Sequence, residues 1–253
     1  MSHLLVSLIT FACVFASAML GLYLRTRLPE QHLSEDSINS IKLATGLVAT
    51  IAALVLGLLT SSAKNSFDTV SADLVRNAVT ILQLDRKLAQ YGPEAHDLRV
   101  LLKHNYAMWV DLLMSGNSND LAKLESSEVL GHIEDFQRKL AQLTPTTDIQ
   151  RQMQARALDI ADSVFAARSL ALLQKRGSLP TMLLIVLVSW LTVIFGTFGL
   201  VAPRNATVIF FFLVCALSAS GAIFVILEMD TPLNGIVRVS AAPLQETLQE
   251  LGK

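Results

Sequence analysis

Four stretches of about 20 residues without one charged side chain constrain this 253-residue chain more than any other feature. They fall at 4–24, 43–63, 181–200 and 206–227. At a rise of about 1.5 Å per residue, such a helix crosses a hydrocarbon core of roughly 30 Å. The runs do not alternate in polarity and are too long for membrane strands, so a β-barrel fits poorly. The expectation is an all-α membrane protein with four transmembrane helices in a 2+2 arrangement. It divides into a hairpin at 1–63, a polar helical insert at 64–180, a second hairpin at 181–228 and a C-terminal tail at 229–253. The first run has no basic residue ahead of it and is followed by Arg25 and Arg27. That is the reverse of a signal peptide, so it reads as a retained helix.

Composition agrees. Only 16% of residues are charged, against about a quarter in soluble domains. The charge is concentrated in the insert, where Lys64 to Pro180 holds 14 basic and 14 acidic side chains. A net charge of −1 and the absence of a Lys/Arg block give no basis for nucleic-acid binding. The positive-inside rule is nearly balanced. Arg25, Arg27, Lys42 and Arg204 lie on the loop side of the hairpins; Lys64, Arg76, Arg168, Lys175 and Arg176 flank the insert, with Arg238 a little beyond. The small excess places the insert and both termini in the cytoplasm. Cys13 and Cys215 sit inside apolar runs and read as small buried residues.

The insert reads as helix with few breaks. Val70, Leu74, Ile81, Leu84 and Leu88 continue the second run on one face, and Tyr91-Gly92-Pro93 ends it. Leu98, Leu101, Leu102, Tyr106, Trp109 and Leu113 form the apolar set of the next helix. A turn is expected at 116–119, then a shorter helix over 121–143, breakable near Ser126–Ser127. After Thr144-Pro145-Thr146-Thr147, Asp148 is the expected N-cap of a last helix. Asp85, Arg86 and Arg76 read as salt-bridging or helix-packing residues.

Within the second run, Gly46, Thr50, Ala53, Gly57 and Ser61 recur at four, three, four and four, forming one face of small residues. In lipid, small side chains let helix backbones approach closely. This stripe therefore packs within the chain or lines a narrow passage in an oligomer. The neighbouring face carries Leu47, Ile51, Leu54 and Leu58, which suits a dewetting gate or a lipid contact. No charged side chain lies in the middle of a run, which argues against a pump or transporter built on a buried carboxylate. After the fourth run, Glu228 and Asp230 precede Pro232 and Gly235 in a short turn. Two carboxylates are too few for a tight calcium site, so the turn reads as a structural cap. His96, His104 and His132 have no metal-ligand spacing. Nucleophile-elbow and nucleotide-binding motifs do not occur. No enzyme activity, cofactor or metal is expected.

Three stretches carry a resemblance. They are Ala53-Leu54-Val55-Leu56-Gly57-Leu58-Leu59 with Ser61-Ser62-Ala63-Lys64, Leu84-Asp85-Arg86-Lys87-Leu88 through Tyr91-Gly92-Pro93-Glu94-Ala95, and Glu228-Met229-Asp230-Thr231-Pro232-Leu233-Asn234-Gly235. With them the chain resembles the bacterial bestrophin-like membrane proteins, a family similar to bestrophin ion channels. The resemblance implies a homopentamer with four spans per subunit, a helical cytoplasmic region between spans two and three, and an apolar neck lined by span two. The neck role would fall on Thr50, Ile51, Ala53, Leu54, Val55, Gly57 and Leu58, with Gly46, Ala53, Gly57 and Ser61 serving close helix packing. Bestrophin necks carry bulky aromatics, whereas none lies between Leu43 and Lys64. The acidic cluster of calcium-gated members is also absent after Gly235, so calcium gating is not carried over.

The functional expectation is a homo-oligomeric, passive channel for monovalent ions, with itself and membrane lipid as partners. The alternative is a non-conducting scaffold or sensor whose helical insert binds a protein. Ion sign stays open: Asp68, Asp73, Glu228 or Asp230 would supply an acidic ring at a mouth, Lys64 or Arg76 a basic one.

Overall fold

The computed structural model describes residues 3–29, 34–115, 120, 123–124, 126–174, 180–233 and 235–253, with the backbone alone for 127–128 and 168–174. The turn expected at 116–119, the flanking charges Lys175 and Arg176, and Asn234 lie outside these residues. Every described element is a helix. Four match the apolar runs: α1 (His3–Leu24), α2 (Glu35–Tyr91), α6 (Thr181–Val201) and α7 (Ala206–Asp230). The others are α3 (His96–Met114), α4 (Ser127–Ala141), α5 (Asp148–Gln174) and α8 (Ala242–Glu250). The chain divides into two compact units. Unit 1 holds residues 1–66 and 177–230; unit 2 holds 67–176 and 231–253.

In unit 1, α1 is the central packing element and contacts both α6 and α7. Its crossing with α6 is made by glycines. A Cβ at Gly21 would lie 2.8 Å from the Leu200 amide nitrogen, and one at Gly199 would lie 3.0 Å from the Ala18 carbonyl carbon. The Ser17 hydroxyl donates to the Thr192 carbonyl at 2.6 Å across the same contact. Small residues thus bring the backbones together where lipid offers no hydrophobic drive. The helix ends cap one another: Arg25, just after α1, donates to the Val201 carbonyl at 2.8 Å and to that of Ala202, and Arg204, just after α6, donates to the Leu22 carbonyl at 3.1 Å. Guanidinium donors at helix C-termini satisfy carbonyls that have no helical partner. Cys13 and Cys215 are exposed on the chain's surface rather than buried. An apolar residue gains nothing from burial where the solvent is hydrocarbon.

Unit 2 has its own core around Leu84, Leu88, Leu98, Leu102, Val110 and Leu140. Tyr91 ends α2 because Gly92 adopts φ +127°, a backbone conformation L side chains rarely take. Pro93 then opens a single 3₁₀ turn into α3. α4 begins at Ser127, with the Ser126 hydroxyl accepting from the Val129 amide, at the break expected there. The start of α5 differs from expectation. Thr147, not Asp148, is the cap: its hydroxyl accepts from the Gln150 amide at 3.1 Å, while Gln150 Oε1 reaches back to the Thr147 amide at 3.3 Å. This reciprocal capping box leaves Asp148 as a first-turn carboxylate beside the helix dipole.

The C-terminal segment is core, not tail. Leu244 and Leu251 are fully buried among the leucines of unit 2. The Lys103 ammonium donates to the Leu251 carbonyl at 2.7 Å, and the Gly252 amide donates to Asp85 Oδ2 at 3.3 Å. Asp85 is itself buried, and Arg99 of α3 grips it with two bonds of 2.8 Å. Arg86 points outward, so the pairing partner of Asp85 is fourteen residues away rather than adjacent.

Tyr106 is also buried against α8. Its hydroxyl lies near that of Thr247 without a well-formed hydrogen bond among the described residues, and burial pushes its pKa up to about 12. Burial, then the Glu94 charge, raises Tyr91 as well. A phenol whose folded pKa exceeds its unfolded value near 10 binds more protons when folded, so stability is fully present below pH 10 and falls as pH rises toward 12. Unit 2 is therefore expected to lose stability above pH 10. Tyr106→Phe should flatten most of that loss, as read by denaturant midpoints from pH 8 to 11.5; an unchanged slope would exclude Tyr106 as its source.

Candidate functional site

The membrane part of α2 has three faces. Thr45, Ala52, Leu59 and Ala63 are buried, spaced seven, seven and four apart as one side of a helix. Ala52, Leu59 and Ala63 pack with Leu187, Ile194 and Ile226 of α6 and α7, while the Thr45 hydroxyl donates to that of Thr197. Roughly 140° around the helix from this row lie Gly46, Thr50, Ala53, Gly57 and Ser61, all exposed. Roughly 220° around lie Leu47, Ile51, Leu54 and Leu58, also exposed, Leu54 at 66%. Two of the three faces of α2 are therefore uncovered in a single chain.

The uncovered leucines alone would say little, since lipid solvates them. The uncovered glycines say more. A Cβ added at Gly46 or Gly57 would meet no atom within 4 Å. Close approach inside the chain is provided by Gly21, Gly196 and Gly199 instead, and among the described residues no helix packs closely on Gly46 or Gly57. Sequence reasoning passed over those three glycines, although Ser17 and Gly21, and Thr192 and Gly196, are small residues four apart, the spacing that marks helix contacts. Val55 departs from the other neck candidates: it is half-buried against the Leu187 cluster, because it lies three after Ala52 and four before Leu59. The Thr50 hydroxyl donates to the Gly46 carbonyl at 2.9 Å, so it offers no unsatisfied donor at the surface.

The charge candidates are distributed differently from expectation. Lys64 is exposed in unit 1; Asp68, Asp73 and Arg76 are exposed on the part of α2 in unit 2. Arg76 lies 3.8 Å from Asp73, so these two largely offset each other. Glu228 is not an exposed mouth charge. It is 4% exposed, and its carboxylate lies 3.0 Å from His3 Nδ1 across the ends of α7 and α1. Asp230 is half-buried. Pro232 and Gly235 are buried in unit 2, where the Val239 amide donates to the Pro232 carbonyl at 3.2 Å and Arg238 Nε to that of Gly235 at 2.8 Å. The segment closes on its own backbone. Among the described residues no three His, Cys, Asp or Glu side chains are grouped to hold a metal ion.

The chain's fold is that of solved bacterial bestrophin homologues. Two structures of such a homologue from Klebsiella pneumoniae, both of point variants, superpose with TM-scores of 0.66 and 0.63 at 14% identity. Each alignment covers 96% of this chain and 97% of the other. No curated protein matches it in sequence. The family model described as the Bestrophin-like domain matches residues 12–244. That span takes in α1 from residue 12 onward, the other three membrane helices whole and nearly all of the polar unit: the chain is a membrane protein of the Bestrophin-like family.

Proposed function

We propose that the chain is one subunit of a homo-oligomeric, pentameric channel that passes monovalent ions passively across a bacterial inner membrane. α2 lines its apolar neck, and the helical unit and both termini face the cytoplasm. The supporting observation is the uncovered surface of α2, where glycines meet nothing and a leucine row stands beside them. Copies around one axis would cover the small face from Thr50 to Ser61 at subunit contacts and turn the leucine row inward, where leucines restrict a pore by dewetting rather than by charge. Such a neck needs no membrane-buried carboxylate.

The test is single-channel recording of the purified oligomer in planar bilayers, with subunit number from native mass measurement. Unitary currents that reverse at the Nernst potential of a monovalent ion support the proposal. Leu54→Ala and Leu58→Ala should each raise conductance several-fold. A well-folded oligomer silent in several salts, or a monomer, would overturn it in favour of a scaffold whose helical unit binds a partner.

A further inference from the structure

A groove of about 710 Å³ opens in unit 1 at the end of the spans where α6 turns into α7. Its walls are almost wholly apolar: Phe198 of α6, Phe211 and Phe212 of α7, and Gly46 of α2. Three features leave the space open. Gly46 has no side chain to fill it. Thr45 turns inward and bonds the Thr197 hydroxyl at 3.2 Å. Phe211 stands outward, 60% exposed. One cation, Lys42, lies in the wall one residue before the uncharged run begins. It is exposed and has no ion-pair or hydrogen-bond partner among the described residues. The other cations at this end are occupied: Arg25 and Arg204 cap helix carbonyls, and Arg27 lies over the Tyr23 ring.

We propose that this groove binds an anionic phospholipid, with one acyl chain along the Phe198, Phe211 and Phe212 wall and the phosphate on Lys42. A cation at the edge of the hydrocarbon above an apolar trough matches a lipid with a charged head and an apolar tail. A second copy of the chain matches it less well. Copies ringed around an axis along the membrane normal meet at equal depth. The nearest carboxylates of α2, Asp36 and Glu35, lie ~9 Å and more along the helix from Lys42. Among the described residues of α2, a neighbouring copy would offer Ile41 and Leu43 at the level of Lys42, which leave the ammonium unpaired. The assignment does not depend on whether the protein conducts.

The experiment uses the full chain in phosphatidylcholine vesicles doped with spin-labelled phosphatidylglycerol or spin-labelled phosphatidylcholine, reading the motionally restricted fraction. The wild type should retain phosphatidylglycerol about fivefold more than phosphatidylcholine. Lys42→Gln should bring that ratio close to one, whereas Arg27→Gln, outside the groove, should leave it in place. Val208→Trp, which fills the groove, should lower retention of both lipids. Equal retention of the two lipids by the wild type would overturn the proposal, as would an unchanged ratio in Lys42→Gln or an equal loss in Arg27→Gln. A photo-reactive side chain at position 211 should couple to lipid; coupling to a second copy of the chain would show that protein covers the groove.

Discussion

Arg99→Ala should destabilise the polar unit by about 3–5 kcal/mol, a large share of a domain's typical stability. Asp85 sits 3% exposed among leucines and receives two bonds of 2.8 Å from the Arg99 guanidinium. Truncating Arg99 leaves the carboxylate with the Gly252 amide at 3.3 Å as its remaining donor among the described residues, in a site too dry to solvate it. The cost comes from stranding that charge more than from losing the pair. It follows that Asp85→Leu combined with Arg99→Leu should be far milder than Arg99→Ala alone. Arg99→Lys should lie between them, because an ammonium cannot match both carboxylate oxygens at once.

The same change should loosen the C-terminal segment. Gly252 is held by Asp85, and Leu251 by Lys103. When Asp85 loses its orientation the last turn loses one of its two polar anchors, and residues 242–253 should become sensitive to protease while the membrane helices stay intact. Denaturant unfolding of the full chain in detergent, followed by Trp109 fluorescence in a Trp190→Phe background, gives the stability change. Limited proteolysis with mass detection gives the loosening. An Arg99→Ala protein within about 1 kcal/mol of wild type, with a protected C-terminus, would show that the buried pair does not support the unit.

Features written locally in the chain were readable before folding. The spans depend on uncharged runs, and the end of α2 depends on three consecutive residues, Tyr91-Gly92-Pro93. What partners what was not readable. The buried row of α2 (Thr45, Ala52, Leu59, Ala63) and its uncovered row (Thr50, Ala53, Gly57, Ser61) are built from similar residues. Only the arrival of α6 and α7 distinguishes them. Asp85 stands beside Arg86 in the chain, but the turn at Gly92 brings Arg99 to it. The segment at 229–253 was what remained after the fourth uncharged run, and so it read as a tail. Yet Leu244, Leu248 and Leu251, four and three apart, carried an amphipathic signal that matched the core it joins. Glu228 looked like a mouth charge because its partner, His3, lies at the opposite end of the sequence.

Gly199→Ala should impair folding of the membrane unit, whereas Gly46→Ala and Gly57→Ala should leave the single chain folded. The two outcomes separate glycines that look alike in sequence. At Gly199 the added methyl would lie 3.0 Å from the Ala18 carbonyl carbon and 3.1 Å from the Leu22 amide nitrogen. Both are backbone atoms and cannot rotate away, so α1 and α6 must part. Parting them lengthens the 2.6 Å bond from Ser17 to the Thr192 carbonyl and disturbs the caps made by Arg25 and Arg204. Overpacking of this kind costs about 1–3 kcal/mol. The gain in helix propensity from glycine to alanine, up to ~1 kcal/mol, opposes it and is the smaller term. Gly21→Leu pushes a longer side chain into the same crossing and should abolish the folded state. At Gly46 and Gly57 nothing lies within 4 Å, so there the propensity term alone acts on the isolated chain. If α2 meets a neighbouring subunit at Gly57, the methyl group there should instead lower oligomer stability. Denaturation of the membrane unit in detergent, read together with oligomer mass, distinguishes the cases. Loss of the folded chain in Gly46→Ala with an unaffected Gly199→Ala would place the close helix contact on α2 and refute the crossing of α1 with α6.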